Sequence, residues 1–171
     1  IRDGGQAPNI IPEFARAEFY LRDFDLNYLD QMQARFENIA KGAALMTNTT
    51  HKLSQSHNPY KPGIPNEPLN QLFFSLARDA GMQPQWPEPA RSSSDFGDVT
   101  YEVPAMHAYF NIIQDNSDIT IHTRVFARAA ATEFAFSQMK KTARILAQIA
   151  WRFMTDHDFR GKVRQAFPSK R

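Results

Sequence analysis

The stretch GGQAPNIIPEFARAEFYLR, residues 4–22, joins a shaped loop to an alternating segment and carries two ligand-grade polar side chains. Gly4 and Gly5 permit positive φ or a close backbone approach, while Pro8 and Pro12 fix φ and lack a donor N–H. From Phe14 onward Ala15, Ala17, Phe19 and Leu21 fall on one face, and Arg16, Glu18, Tyr20 and Arg22 on the other. That period of two predicts a half-buried strand. Asn9 ahead of it and Arg22 at its end are types that hold a carboxylate, the amide through single hydrogen bonds and the guanidinium through a bidentate fork. Both types also serve structure at such positions. A fully extended chain would set them about 40 Å apart, so either the NIIP segment folds back sharply or the two side chains serve different sites.

Outward from this stretch, the acidic turn Asp23-Phe24-Asp25 offers an N-cap. Leu29, Met32, Phe36, Ile39, Ala43 and Met46 then recur at helical spacing. The β-branched run from Thr47 to Thr50 predicts a second strand through Leu53. Strand, helix and strand make half of a split βαββαβ unit, so the fold class expected is α/β (α+β). SHNPYKPGIPN, residues 56–66, holds three prolines, a density that makes it an extended crossing between domains. Asn66 caps the next helix, in which Leu69, Leu72, Phe73, Leu76 and Ala80 form the apolar stripe and Gly81 closes it.

Chemistry-bearing residues follow. SSSDFGDV, residues 92–99, mixes hydroxyls, carboxylates and a glycine, suited to capping a short helix or lining a polar cleft, with Asp95 the candidate side chain. Residues 105–113 are rich in aromatic and β-branched types and read as a buried strand carrying His107, Tyr109 and Phe110. A histidine there is either hydrogen-bonded in a core or in contact with substrate. ITIHTRVF places His122 at the end of a short β-branched run, where the strand end would hold an imidazole rigidly for zinc or manganese. A long helix over residues 132–154 presents Phe136, Met139, Ala143, Leu146, Ala150 and Phe153 as its apolar stripe, opposed by Lys140, Lys141 and Arg144. A last amphipathic piece covers residues 159–167, and His51, His57 and His157 lie in polar contexts at the surface.

The chain has 171 residues, 42% of them hydrophobic, enough for an ordinary core instead of a disordered tail. Twenty basic against eighteen acidic residues leave a net charge of +2 without a dense Lys/Arg block. The aromatics sit on apolar stripes, so no nucleic-acid partner is expected. Without cysteine there are no disulfides or thiolate ligands, which fits a cytoplasmic setting. No apolar run reaches the roughly 18 residues of a membrane span, and no membrane partner is expected. HExxH, His-x-His, a phosphate loop and a nucleophile elbow are all missing. The chain opens on Ile1 with IRDGG, which looks like the end of a strand, and reads as the C-terminal part of a longer protein.

Three pieces in order, the Gly-Gly/Ala-Pro-Asn-Ile-Ile-Pro strand closing on Arg22, Ser-Ser-Asp-x-Gly-Asp-Val, and His122-Thr123 followed by Phe126 ahead of a long helix, resemble one family. It is metallopeptidase family 20, the binuclear metallopeptidases and amidohydrolases that include aminoacylases, glutamate carboxypeptidases and aminobenzoyl-glutamate hydrolases. KGAALMTNTT, residues 41–50, is similar to the aminobenzoyl-glutamate branch in particular, whereas the proline that the family carries near Arg124 is missing. The resemblance covers residues 4–156 and implies the second half of a ferredoxin-like lid and dimerisation domain over residues 1–57. The C-terminal part of an α/β catalytic domain would follow over residues 58–171. It further implies Asn9 and Arg22 as substrate-carboxylate ligands, His107 as a weaker substrate contact, and His122 as a metal ligand. Two divalent ions, zinc or manganese, are implied for the parent enzyme. The catalytic glutamate would lie upstream, so no catalytic residue is expected in this chain and the chain alone is expected to be inactive. A homodimer through the lid and a small amide or dipeptide-like substrate complete the implied picture; the alternative is a non-catalytic lid and dimerisation module.

Overall fold

A computed structural model describes residues 1–85, 94–114 and 119–167. It is mostly helical, with α1 at Leu26–Met46, α2 at Glu67–Asp79, α3 at Phe96–Glu102, α4 at Arg124–Ala129, α5 at Glu133–Thr155 and α6 at His157–Gln165. Contacts divide the chain into two compact units, Ile1–Pro62 and Gly63–Arg171.

In the first unit residues 14–22 build no ladder, and the face expected to pack is open: Ala15, Ala17 and Phe19 are exposed and Leu21 alone of that face is half-buried. The β-pairing of this stretch is the single antiparallel bridge between Asp3 and Arg16, closed by the Arg16 N–H donating to the Asp3 carbonyl at 2.9 Å. The α/β expectation therefore meets a mostly helical chain, and the strand expected through Leu53 is not formed. A strand's backbone groups need a paired neighbour, and among the described residues this segment has one bridge. Gly5 is required twice over: its φ is +92° and a Cβ there would meet Pro12 at 3.1 Å. Helix α1 starts where Asp25 accepts from the Asn27 and Tyr28 amides. It ends in a left-handed turn at Asn48, φ +52°, where the Thr49 N–H reaches the Ala44 carbonyl at 2.9 Å. That turn absorbs the residues read as a strand entry. Of the α1 stripe, Leu29, Met32 and Phe36 are half-buried, with Phe36 meeting the Phe19 ring at 5.0 Å, whereas Ile39 and Met46 are exposed.

The second unit is built on α2, α5 and α6 around one core. Leu69, Phe73 and Ala77 of α2, Ile145 and Ile149 of α5, and Phe159 and Val163 of α6 are buried against one another, with Met106 and Ala108 packed on them. Asn66 ties two elements together: its Oδ1 accepts from the Leu69 N–H at 3.4 Å and its Nδ2 donates to the Val163 carbonyl at 2.9 Å. Gly81, φ +71°, closes α2, with its own N–H on the Arg78 carbonyl and the Met82 N–H on the Ala77 carbonyl. Asp156 stops α5 and caps α6, accepting from the Phe159 N–H, while the Arg160 guanidinium donates to the last carbonyls of α5 at Phe153 and Met154.

Helix α5 is rotated from its expected orientation. Ala135, Thr142, Ile145 and Ile149 are the residues it buries; Phe136, Met139 and Leu146 are each more than 40% exposed. The two stripes differ by one position, about 100° around a 3.6-residue turn. Sequence periodicity fits both, because α5 is apolar on two faces. The final helix begins at His157, two residues before the piece read from sequence, and buries Phe159 and Val163.

Candidate functional site

The two carboxylate-ligand candidates lie in the first unit. Asn9 is exposed in a tight turn in which the Ile10 N–H donates to the Ala7 carbonyl at 3.2 Å. Pro8 and Pro12 bracket that turn, so its backbone has few alternatives. Arg22 is exposed at the end of the extended segment, its guanidinium carbon 5.3 Å from the Tyr20 ring centroid. A guanidinium over an aromatic face is attracted to the ring's electron density. Nearby, Arg2 and Arg16 both engage Glu18, at 2.7 and 3.3 Å. The hydrogen bond from Arg2, first, then the positive charges around it hold the Glu18 carboxyl below its ordinary value.

In the second unit, His107 is neither a core residue nor part of a ladder. Its ring centroid lies 4.5 Å from that of Phe96 and 4.5 Å from that of Tyr109, and the Tyr109 hydroxyl is 3.2 Å from Nδ1. Met106 and Ala108 pack on the core while His107 and Tyr109 are exposed; the alternation ends there, since Phe110 and Asn111 are exposed as well. The structure thereby brings His107 beside the start of α3, which holds the described end of the Ser-Ser-Ser-Asp-Phe-Gly-Asp-Val motif. Ser92 and Ser93 lie outside the described residues. Ser94 supplies the local turn, accepting from the Phe96 N–H at 3.2 Å and donating to Asp95 at 3.3 Å; the exposed Asp95 makes no cap bond of its own. Thr100 fastens α3, donating to the Gly97 carbonyl at 2.6 Å and accepting from the Ile64 N–H at 2.9 Å. Burial first, then the Asp98 charge, pushes the neighbouring Tyr101 hydroxyl above its ordinary value. Tyr109 stands with His107 as the sequence pattern placed it, whereas Phe96 offered no signal beyond its place in the motif.

His122 is exposed with φ +64°, a left-handed conformation that costs a non-glycine residue about 1–2 kcal/mol. It does not end a strand. It stands directly ahead of Thr123, which caps α4 by accepting from the Phe126 N–H at 3.2 Å and donates to the Thr120 carbonyl at 2.8 Å. This double anchoring fixes the backbone on one side of the strained residue. Strain at an exposed imidazole is a feature of functional positions, and sequence periodicity carries no trace of it. The described residues include no group of three or more His, Cys, Asp or Glu side chains that could hold a metal ion. A zinc site draws on three or four protein ligands, and His122 offers one imidazole toward such a set.

No protein-family model matches the chain. It is similar to the Xaa-Arg dipeptidase of Mus musculus, 30% identical over 154 residues that make up 88% of this chain and 35% of that protein. The relatives are hydrolases. The Homo sapiens Xaa-Arg dipeptidase is 27% identical over 174 aligned positions, 99% of this chain and 39% of that protein. An N-acetyldiaminopimelate deacetylase of Leuconostoc citreum is 25% identical over 112, covering 64% and 29%. The chain thus spans 35–39% of the length of the dipeptidases it matches. A dipeptidase and a deacetylase among the relatives support the metallopeptidase and amidohydrolase resemblance at low identity, without favouring the aminobenzoyl-glutamate branch. No described helix is long and apolar enough to cross a membrane.

Proposed function

We propose that this chain forms one part of a metal-dependent amidohydrolase that cleaves the amide bond of an N-acyl amino acid or a dipeptide-like substrate, aminobenzoyl-glutamate among the candidates. The observation that carries this reading is the likeness to a dipeptidase along 88% of the chain. In this reading residues 1–57 belong to a lid and dimerisation domain and residues 58–171 to a catalytic domain. Arg22, whose guanidinium carbon lies over the Tyr20 ring, takes the substrate's carboxylate through a two-pronged contact, and the Asn9 amide adds a single donor. Gripping the carboxylate away from the scissile bond positions the amide carbonyl for attack by water, the orientation effect on which such hydrolysis depends. His107 in its aromatic stack contacts the body of the substrate. His122 is the ligand this chain contributes toward two divalent ions, zinc or manganese, whose remaining ligands come from elsewhere in the working enzyme.

The lid unit works as a homodimer in this reading. Support comes from the large apolar side chains it exposes, among them Ile10, Ile11, Phe14 and Phe24. The test is a substrate panel on the complete gene product: dipeptides, N-acetyl amino acids and aminobenzoyl-glutamate, each compared with its carboxamide. Hydrolysis that requires the free carboxylate supports the proposal. No hydrolysis of any member, with zinc or manganese supplied, overturns it in favour of a non-catalytic lid and dimerisation module.

A further inference from the structure

A groove of about 730 Å³ runs between α2 and α5, a volume within the roughly 300–1,000 Å³ of small-molecule sites. One wall is a single face of α5, where Ser137, Lys140, Lys141, Arg144 and Gln148 recur at spacings of three and four. The other is the C-terminal end of α2, where the half-buried Leu76 and Ala80 add apolar surface. Lys140, Lys141 and Arg144 fall within one turn, about 6 Å of helix axis. None of the three makes an ion pair or a side-chain hydrogen bond among the described residues. Three like charges so close repel one another, and an anion in the groove would relieve that repulsion. Two carboxylates line the same groove: Asp79 on the facing helix, and Glu133 seven residues before Lys140, about 10 Å along the axis. The groove also opens away from the exposed apolar residues of α5. Met139 and Leu146 are exposed roughly 130° around the helix from Lys140 and Arg144, so whatever covers that apolar face leaves the cations accessible.

We propose that this groove binds a small organic phosphate. A phosphate monoester brings up to about two negative charges and three acceptor oxygens, a match for one guanidinium fork and two ammonium groups. A single carboxylate, with one charge and two oxygens, would leave part of that cation set unanswered. Ser137 and Gln148, one turn to either side of the cations along α5, add a hydroxyl and an amide for the ester's other polar groups. The organic body lies on Leu76 and Ala80, and the Asp79 carboxylate holds the phosphate to the α5 wall by repelling it from α2. The assignment rests on the groove alone and not on any hydrolase activity.

Calorimetric titration of the complete gene product tests this, after metal removal with a chelator so that phosphate has no ion to bind. The probes are phenyl phosphate, inorganic phosphate and a hexaglutamate peptide, in salt of about 0.15 M. Phenyl phosphate should bind once per subunit and about tenfold more tightly than inorganic phosphate, through the apolar contact of its ring. Lys140→Met and Arg144→Met, both at exposed positions, should each weaken it about tenfold at unchanged circular dichroism. Arg144→Lys should recover part of that loss. Asp79→Asn should tighten binding, a gain that a merely structural role for Asp79 would not produce. No saturable binding of phenyl phosphate overturns the proposal, as does an affinity unmoved by Lys140→Met and Arg144→Met. Equal affinity for inorganic phosphate overturns the organic ligand, and tighter binding of hexaglutamate replaces it with an acidic peptide. Because the protein is metal-free and no turnover is read, failure here leaves the substrate panel untouched.

Discussion

Replacing Asn66 by alanine removes two bonds at once, and their geometry sets unequal weights. Asn66 is 3% exposed. Its cap contact to the Leu69 N–H is long, 3.4 Å, which puts its contribution at the low end of the N-cap range, about 0.5–1 kcal/mol. The 2.9 Å bond from Nδ2 to the Val163 carbonyl is the stronger one. Val163 is fully buried in the last turn of α6, and its carbonyl accepts no backbone N–H there. Losing that donor leaves a buried acceptor unpaired at a cost of about 1–3 kcal/mol. The expected total for Asn66→Ala is roughly 1.5–4 kcal/mol, a fall of about 1–2 M in the urea midpoint for a slope near 2 kcal/mol/M. Tryptophan fluorescence is the appropriate probe, since Trp151 lies on α5 of the second unit. Asn66→Ser keeps an acceptor for the cap and loses the α6 bond, so it should recover less than half of the loss. Asn66→Asp sets a carboxylate against the Val163 carbonyl and should be no better than alanine. A loss below about 0.5 kcal/mol for Asn66→Ala, or a serine variant equal to the parent, would refute the assigned weights.

Further expectations concern packing, charge and substrate. Ile145→Ala should destabilise the second unit by about 2–4 kcal/mol, whereas Leu146→Ala, on the exposed face, should stay within about 0.5 kcal/mol in the isolated chain; equal losses in urea melts would contradict the observed rotation of α5. The Asp156 carboxyl is held below its ordinary value first by the Phe159 N–H and then by Arg152. Because the folded-state value is the depressed one, its stabilisation is fully present above the ordinary carboxylate range and disappears as pH falls through the folded value. Carboxyl NMR titration should show Arg152→Ala raising Asp156 only partway, whereas Arg2→Ala should return Glu18 most of the way to its ordinary value, since Arg2 is the largest cause of its depression. In the complete gene product, Arg22→Ala should raise KM roughly 10- to 100-fold with kcat little changed, as loss of a charge-assisted contact predicts; steady-state kinetics on the free-carboxylate substrate decide this.

Helices were legible in the sequence because their signals are local. Asp25, Asn66 and Thr132 cap where the residue types place caps, and Gly81 closes α2 by adopting the left-handed turn that only its chemistry makes inexpensive. Strands were not legible in the same way, because alternation states which side chains share a face and says nothing about the partner. Met106–Tyr109 alternate in burial, whereas residues 14–20 are all exposed, and neither stretch builds a ladder among the described residues. The α5 face failed for another reason, since Phe136 and Ala135 lie on rows that both satisfy a 3.6-residue period. At the candidate site, the imidazole of His122 was visible as a residue type, whereas its positive φ arises from how 120–126 close into α4 and is written in no single residue.

Metal content of the complete gene product, with and without His122→Asn, tests the central claim most directly. Asparagine tolerates the left-handed backbone at φ +64°, so the change removes the imidazole while keeping the turn. Elemental analysis should find about two zinc or manganese ions per subunit in the parent, and a clear fall in the variant at unchanged circular dichroism. Undiminished metal in the variant would contradict the assignment of His122, and no metal in either protein after reconstitution would contradict the hydrolase reading itself.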